Sequence, residues 1–218
     1  MTDINELEKA AKNGTLGRRD FMKKAAALGL AAPFATTLLS QSVHASVPKK
    51  GGKFIFGTGH GSTTDSLDPA THENGFTQNM CYTYCNHLFE VDNTGKLVPE
   101  LVESFDSADG ASTWIFKLRS GVEFHNGKTM TPEDVIASIN HHRGEDSKSA
   151  GKGLISDMVD IKKTGSNEIT IKLGSGNADF PAIMSDYHFP IMPVRDGKID
   201  WQAGYGTGPY VIDTFNPG

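Results

Sequence analysis

Strands and helices alternate along this 218-residue chain, which predicts a mixed α/β domain. Three stretches carry that expectation. Trp114, Phe116 and Leu118 alternate with Ile115, Lys117 and Arg119, the two-residue period of a strand with one apolar face. Thr131-Pro132-Glu133-Asp134 reads as a capped helix start, with proline at the first helical position and an acidic residue three places after the cap. Val135, Ile136 and Ile139 follow at helical spacing. Gly165-Ser166-Asn167 separates two strand-like runs, about 158–164 and 168–173, as a hairpin turn does.

The other elements follow in order. Lys53 to Thr58 reads as a short strand. Gly59 to Pro69 is a polar loop of turn-forming residues. A helix is expected over Phe76 to Phe89, a turn at Asp92-Asn93-Thr94-Gly95 and a helical turn from Pro99 to Ser104. Strands at about 104–109 and 113–119 are joined through Ala108-Asp109-Gly110-Ala111. The capped helix should end near His142 or Arg143, before Gly144, and 144–153 should be a loop. A short helix is expected around 178–187. Phe189 to Val194 reads as a strand that lies at an edge or is short, since Pro190 and Pro193 cannot donate ladder hydrogen bonds. Asp196-Gly197 turns the chain, and Gly208 to Phe215 reads as a last strand. There is no internal repeat or low-complexity tract.

The N-terminal region reads as an address rather than as fold. Arg18-Arg19 precedes an apolar run from Ala25 to Leu39. Fifteen residues give roughly 22 Å of helix against a hydrocarbon core of about 30 Å, too short for a permanent span. Small residues at Val43-His44-Ala45 place cleavage after Ala45, and no cysteine stands there for a lipid anchor. Residues 1–16 form a polar leader, excluded from the fold with the rest of 1–45. The segment resembles the twin-arginine translocation signal, with Arg18, Arg19, Phe21 and Lys23 matching and Gly17 departing from the usual Ser or Thr. That resemblance implies the twin-arginine translocase as a partner and a periplasmic destination.

Without residues 1–45 the chain carries 15 Lys and Arg against 22 Asp and Glu, a net charge of −7. No basic patch points to nucleic acid or an anionic membrane. The only cysteines, Cys81 and Cys85, are one helical turn apart, a poor disulfide geometry. They read as small buried apolar residues. A metal pair with His87 is the alternative, and no further ligand is evident, so no metal is assigned. His141-His142-Arg143 ends a helix where cations complement the dipole, and adjacent residues diverge too far to share one ion. His125 and His188 have no assigned role.

The block 99–138 is the most informative. It holds Pro99, Leu101 and Ser104, then Trp114, Phe116, Leu118 and Arg119, then Gly121, Val122, Phe124 and Gly127, then Thr131, Asp134, Val135 and Ser138. Leu67-Asp68-Pro69 and Gly206-Thr207-Gly208-Pro209-Tyr210 flank it. On its own chemistry this block is scaffold: two amphipathic strands and a capped helix around a small core. Its order resembles family 5 of the solute-binding proteins that serve ABC importers of peptides, nickel and other solutes. The resemblance covers essentially all of 46–218.

What the resemblance implies is a periplasmic-binding-protein-like class II lobe: an α/β lobe built on a mixed sheet with flanking helices. Residues 46–218 would form lobe I, with an inserted subdomain at about 82–187. The second lobe would be missing, since the chain stops at Asn216-Pro217-Gly218 where relatives continue, so a fragment is expected. The implied function is extracytoplasmic capture of peptide-like solutes for permease subunits in the inner membrane, without cofactor and without catalysis. No nucleophile elbow, zinc-binding helix or phosphate loop is present. Candidate solute contacts are His60, Ser62, Thr63 and Thr64 in one loop, and Tyr205 and Thr207 in another. A cofactor enzyme exported by the same pathway, and a solute-sensing domain for a receptor, are the alternative readings.

Overall fold

The computed structural model describes residues 3–12, 15–31, 33, 35–37 and 51–217. It divides into two compact units, Met1–Phe56 and Gly57–Gly218.

In the first unit, α1 (Ile4–Lys12) and α2 (Arg18–Ala27) pack together. Leu7, Ala11, Phe21, Ala25 and Ala35 form their shared apolar cluster. Residues 1–16 are therefore more than a polar leader: Leu7, Ala10 and Ala11 make a buried stripe at helical spacing. Arg18 and Arg19 open α2 and are exposed, as is Lys23, whereas Phe21 is buried. Ala45, after which cleavage is expected, lies outside the described residues. No described helix is long and apolar enough to cross a membrane. The expected strand at 53–58 joins no ladder among the described residues, and Phe54, Ile55 and Phe56 stand exposed.

The second unit is built on a four-stranded antiparallel sheet in the order β3-β4-β6-β5: β3 (Val102–Ala108), β4 (Thr113–Leu118), β5 (Met158–Gly165) and β6 (Glu168–Leu173). The two-residue alternation fixes which face is buried. Trp114, Phe116 and Leu118 of β4 and Ile169, Ile171 and Leu173 of β6 point to the core. Burying each such side chain contributes about 1.5–3 kcal/mol. The Trp114 indole donates to the carbonyls of Ala111 and Asn177, so its one polar atom is satisfied inside. The hairpin between β5 and β6 turns at Ser166-Asn167, as its spacing predicts.

Helix α4 (Pro132–Asn140) covers the sheet through Val135 and Ile139. Its start follows the capping logic: Asp134 Oδ2 accepts from the Thr131 amide at 2.9 Å and the Thr131 hydroxyl at 2.8 Å. Asp134 is fully buried, pairs with Lys128, and accepts from the Val194 amide at 2.7 Å. Ser138 continues the staple, accepting from the Met192 amide at 3.0 Å. The Thr131, Asp134 and Ser138 positions of the resemblance are thus structural ties between a helix and the segment beside it.

Several elements depart from expectation. Helix α3 (Gly75–Tyr84) stops five residues early, because Cys85 adopts an extended conformation at φ −114°, ψ 156°. The segment expected to finish it becomes β1 (Phe89–Val91), paired with β2 (Leu97–Pro99) across the Asp92 turn. The helical turn expected over 99–104 is instead the end of β2 and the start of β3. Its backbone is engaged by neighbours: Leu101 N donates to His87 O, and Arg119 N to Leu101 O. Helix α5 shrinks to Phe180–Ile183. Of 189–194 only Val194 enters a ladder, in a hairpin of β7 (Val194–Arg195) and β8 (Lys198–Ile199) turned by Asp196-Gly197. The strand expected at 208–215 has no ladder among the described residues.

Candidate functional site

The first candidate loop braces itself. Asp65 Oδ2 accepts from Ser62 N at 2.7 Å, and Asp65 Oδ1 from the Asn74 amide at 2.6 Å. Asn74 in turn caps α3 by accepting from Phe76 N and Thr77 N. The Ser62 and Thr64 hydroxyls share a 2.9 Å bond. His60, at φ 70°, Thr63 and Thr64 are exposed, and Ser62 is half-buried. Farther along, Asp68 accepts from Ala70 N at 2.9 Å and meets His141 Nε2 at 2.7 Å, tying the loop's base to the end of α4. Burial pushes the Asp68 carboxyl up, but the His141 and Ala70 hydrogen bonds outweigh it and hold the group below the usual carboxylate range.

The second candidate loop is a strap pressed onto the end of α3. A Cβ on Gly206 would lie 2.0 Å from Tyr84 O, and one on Gly208 would lie 2.6 Å from Tyr84 C. Only glycine fits at either place. Gly208 N donates to Tyr84 O at 2.9 Å, and the Thr207 hydroxyl donates to Asn86 Oδ1 at 2.9 Å. His125 clamps the strap from the other side. Its Nδ1 accepts from Gly206 N at 3.2 Å, so its Nε2 carries the proton and donates to Gly208 O at 2.8 Å. Sequence reasoning left His125 unassigned; no local pattern signals a partner 81 residues away.

The roots of the two loops meet. Leu67 belongs to a small buried cluster with Tyr84, Cys85, Met192 and Ile199, on which Trp201, Ile212 and Phe215 pack. A Cβ on Gly204 would lie 3.3 Å from the Leu67 side chain. The tips are a different matter: no hydrogen bond among the described residues joins His60, Ser62, Thr63 or Thr64 to Tyr205 or Thr207.

A groove of about 700 Å³ lies elsewhere in the unit, and none of the six candidate residues lines it. Tyr82, Val91 and Leu154 give it exposed apolar walls, and Glu90, Glu100, Asp179 and Asp186 give it four carboxylates with no lining cation. Burial raises the Glu100 carboxyl above its ordinary value despite hydrogen bonds from Asn86 and His87 N, and Glu90 adds to the rise. Burial, then the Asp186 charge, pushes the Tyr82 phenol up to about 12. These walls favour cations. Sequence reasoning missed them because Glu100 and Tyr82 sit in segments that read as scaffold and helix.

Cys81 and Cys85 are buried free thiols, as their composition suggested. Cys81 Sγ donates to Tyr187 O at 3.4 Å and lies 4.0 Å from His87 Nε2. A hydrogen bond with Cys85, then burial, pushes the Cys81 thiol up to about 12, which makes it inert. Among the described residues no three His, Cys, Asp or Glu side chains are placed to hold a metal ion. His141 and His142 diverge, their rings at 89°, to Asp68 and to Ser149 Oγ. The expectation of a cationic pair at the helix end fails for His142: burial, then the neighbouring His141, brings its pKa down to about 3, so it is neutral. Arg143 donates instead to the carbonyls of Met158 and Val159.

Residues 96–218 match the family described as bacterial extracellular solute-binding proteins, family 5 Middle. A probable peptide ABC transporter periplasmic-binding protein of Sinorhizobium fredii is 27% identical, over 94% of this chain and 38% of its own. A glutathione-binding protein of Pectobacterium atrosepticum is 27% identical, over 72% of this chain and 31% of its own. The structure of the binding protein AgaA from A. tumefaciens R10, in complex with agropinic acid, superposes with a TM-score of 0.64 at 21% identity. It covers 71% of this chain and 32% of that one, a likeness of fold. The chain spans about a third of the length of these proteins. The family match takes in more than half of the sequence, and the chain belongs to family 5 of the bacterial extracellular solute-binding proteins.

Proposed function

We propose that this protein captures a peptide-like or related small solute outside the cytoplasmic membrane and delivers it to the permease subunits of an ABC importer. The family match over residues 96–218 carries the reading. Relatives named for peptide and for glutathione, itself a tripeptide, favour peptide-like chemistry. In this reading 46–218 is lobe I, 82–187 is its inserted subdomain, and the antiparallel sheet at 102–173 lies wholly inside that insertion. Solute meets the lobe at His60, Ser62, Thr63, Thr64, Tyr205 and Thr207, on two loops rooted in one apolar cluster. Capture works by closure around a bound solute, which needs differential contacts but no bond-making. The precursor reaches the periplasm through the twin-arginine translocase, addressed by Arg18, Arg19, Phe21 and Lys23 and cleaved after Ala45.

The test is a thermal-shift screen of the purified protein against short peptides, glutathione, nickel chelates and opines. A ligand at about 100 times its Kd adds roughly 2.7 kcal/mol of apparent stability. A shift with peptides supports the assignment. A shift confined to another class replaces the solute, and turnover of any of them overturns the binding-protein reading.

A further inference from the structure

We propose that α1 is a folded cover over the export helix α2, withholding the Phe21–Ala25 apolar face of that helix until the receptor displaces it. The inference rests on the twin-arginine reading above. The two faces of α2 are treated differently in the structure. Arg18, Arg19 and Lys23 are exposed, while Phe21 and Ala25, one helical turn apart, are both 0% exposed. What closes over them is α1, through Leu7 at 1% and Ala11 at 8%, again one turn apart. Two short apolar stripes therefore face each other, and the charged residues of the address are left outside.

The contact is built to open. Leu7 and Phe21 are the only large side chains among its fully buried residues; Leu16, Met22, Leu28 and Leu30 pack against it half-exposed. At 9 residues, α1 is shorter than a helix that stands alone in water. It therefore gains its order from α2, closed at its end by Thr15, whose amide and hydroxyl both donate to Ala10 O at 3.0 Å. Helix α2 is weak by itself for another reason. It starts with two arginines at the end where the helix dipole repels cations, against a single Asp20 in the same turn, and its N-cap residue, Gly17, offers no side-chain acceptor. Each helix supports the other, so removing one of the two large buried side chains weakens the pair.

The experiment uses the full precursor with three variants. Leu7→Asp breaks the cover. Ile4→Asp makes the same charge change at a residue of α1 that is 37% exposed. Arg18→Lys with Arg19→Lys breaks the address. Two readouts are taken: amide hydrogen exchange over 18–27 in solution, and the initial rate of conversion to the mature form in a pulse-chase. Leu7→Asp is expected to speed exchange about tenfold or more, as losing a buried leucine predicts, and to raise the initial export rate. Ile4→Asp should change neither. Unchanged exchange in Leu7→Asp overturns the cover, and so does faster exchange with export unchanged or slowed. If the double lysine variant is exported like the wild type, the twin-arginine reading fails instead, whatever the exchange data show.

Discussion

Lowering the pH should destabilise the Gly57–Gly218 unit through His142, and the size of the effect follows from its burial. The imidazole is 0% exposed, and its Nδ1 lies 2.6 Å from Ser149 Oγ. Its pKa falls from 6.5 to about 3 on folding, first by desolvation and then by the charge of His141. A base whose folded pKa is depressed binds its proton more readily in the unfolded chain. Stability is therefore full above pH 6.5, declines as the pH falls below it, and levels off near 3. At pH 5 the loss is about 2 kcal/mol, from 1.5 pH units at about 1.36 kcal/mol each. Asp68 and Asp186 have folded pKa values below 3.8, so their contributions are lost only at lower pH. Glu100, raised above 4.5, acts in the opposite sense within the window. Comparison with a variant removes these shared terms. His142→Asn keeps an acceptor toward Ser149 and cannot take up a proton. Urea unfolding followed by tryptophan fluorescence at pH 7 and pH 5 should show the wild type losing about 2 kcal/mol more than the variant across that interval. Equal losses in the two proteins would refute the reasoning.

Asp134→Ala removes a buried carboxylate and strands the Thr131 and Val194 amides with Lys128; a loss of about 3 kcal/mol is expected in urea unfolding, well beyond a surface substitution. Gly206→Ala forces a methyl group onto the Tyr84 carbonyl, and about 3 kcal/mol or failure to fold is expected from the same measurement. Cys81 should resist Ellman's reagent at pH 8 in the native protein and react fully in urea, since its thiol is 0% exposed and pushed up to about 12. Tyr205→Ala should weaken binding of an identified solute in calorimetry with little change in melting temperature, whereas Thr207→Val should lower the melting temperature by loss of its bond to Asn86.

What was legible in the sequence was local. The alternation at Trp114, Phe116 and Leu118, the capping box at Thr131 and the hairpin at Ser166-Asn167 each depend on residues a few places apart, and each forms as its pattern predicts. The misread elements depend on distant partners. Residues 99–104 carry helical spacing, yet Leu101 binds His87 and Arg119, and the strand pairing wins. The expected helix through Phe89 fails because the strap at 206–208 occupies the end of α3, more than 120 residues later in the chain. His125 and Asn86 were invisible for the same reason: their work is to hold that strap.

The same packing sorts the proposed solute contacts. Composition marks Gly206-Thr207-Gly208 as a ligand loop, because glycines free their backbone amides. Here the glycines serve close approach to Tyr84, the Gly208 amide is engaged by that carbonyl, and the Gly206 amide is engaged by His125. Thr207 is engaged as well, and Ser62 and Thr64 bond each other. A group that must first break an internal hydrogen bond gains less from a solute than one that is free. By that criterion His60, Thr63 and Tyr205, which make no hydrogen bond among the described residues, are the three of the six with donors and acceptors to spare. The other three fix where those three stand, and a glycine-rich signature in this chain marks how one helix end is packed before it marks what is bound.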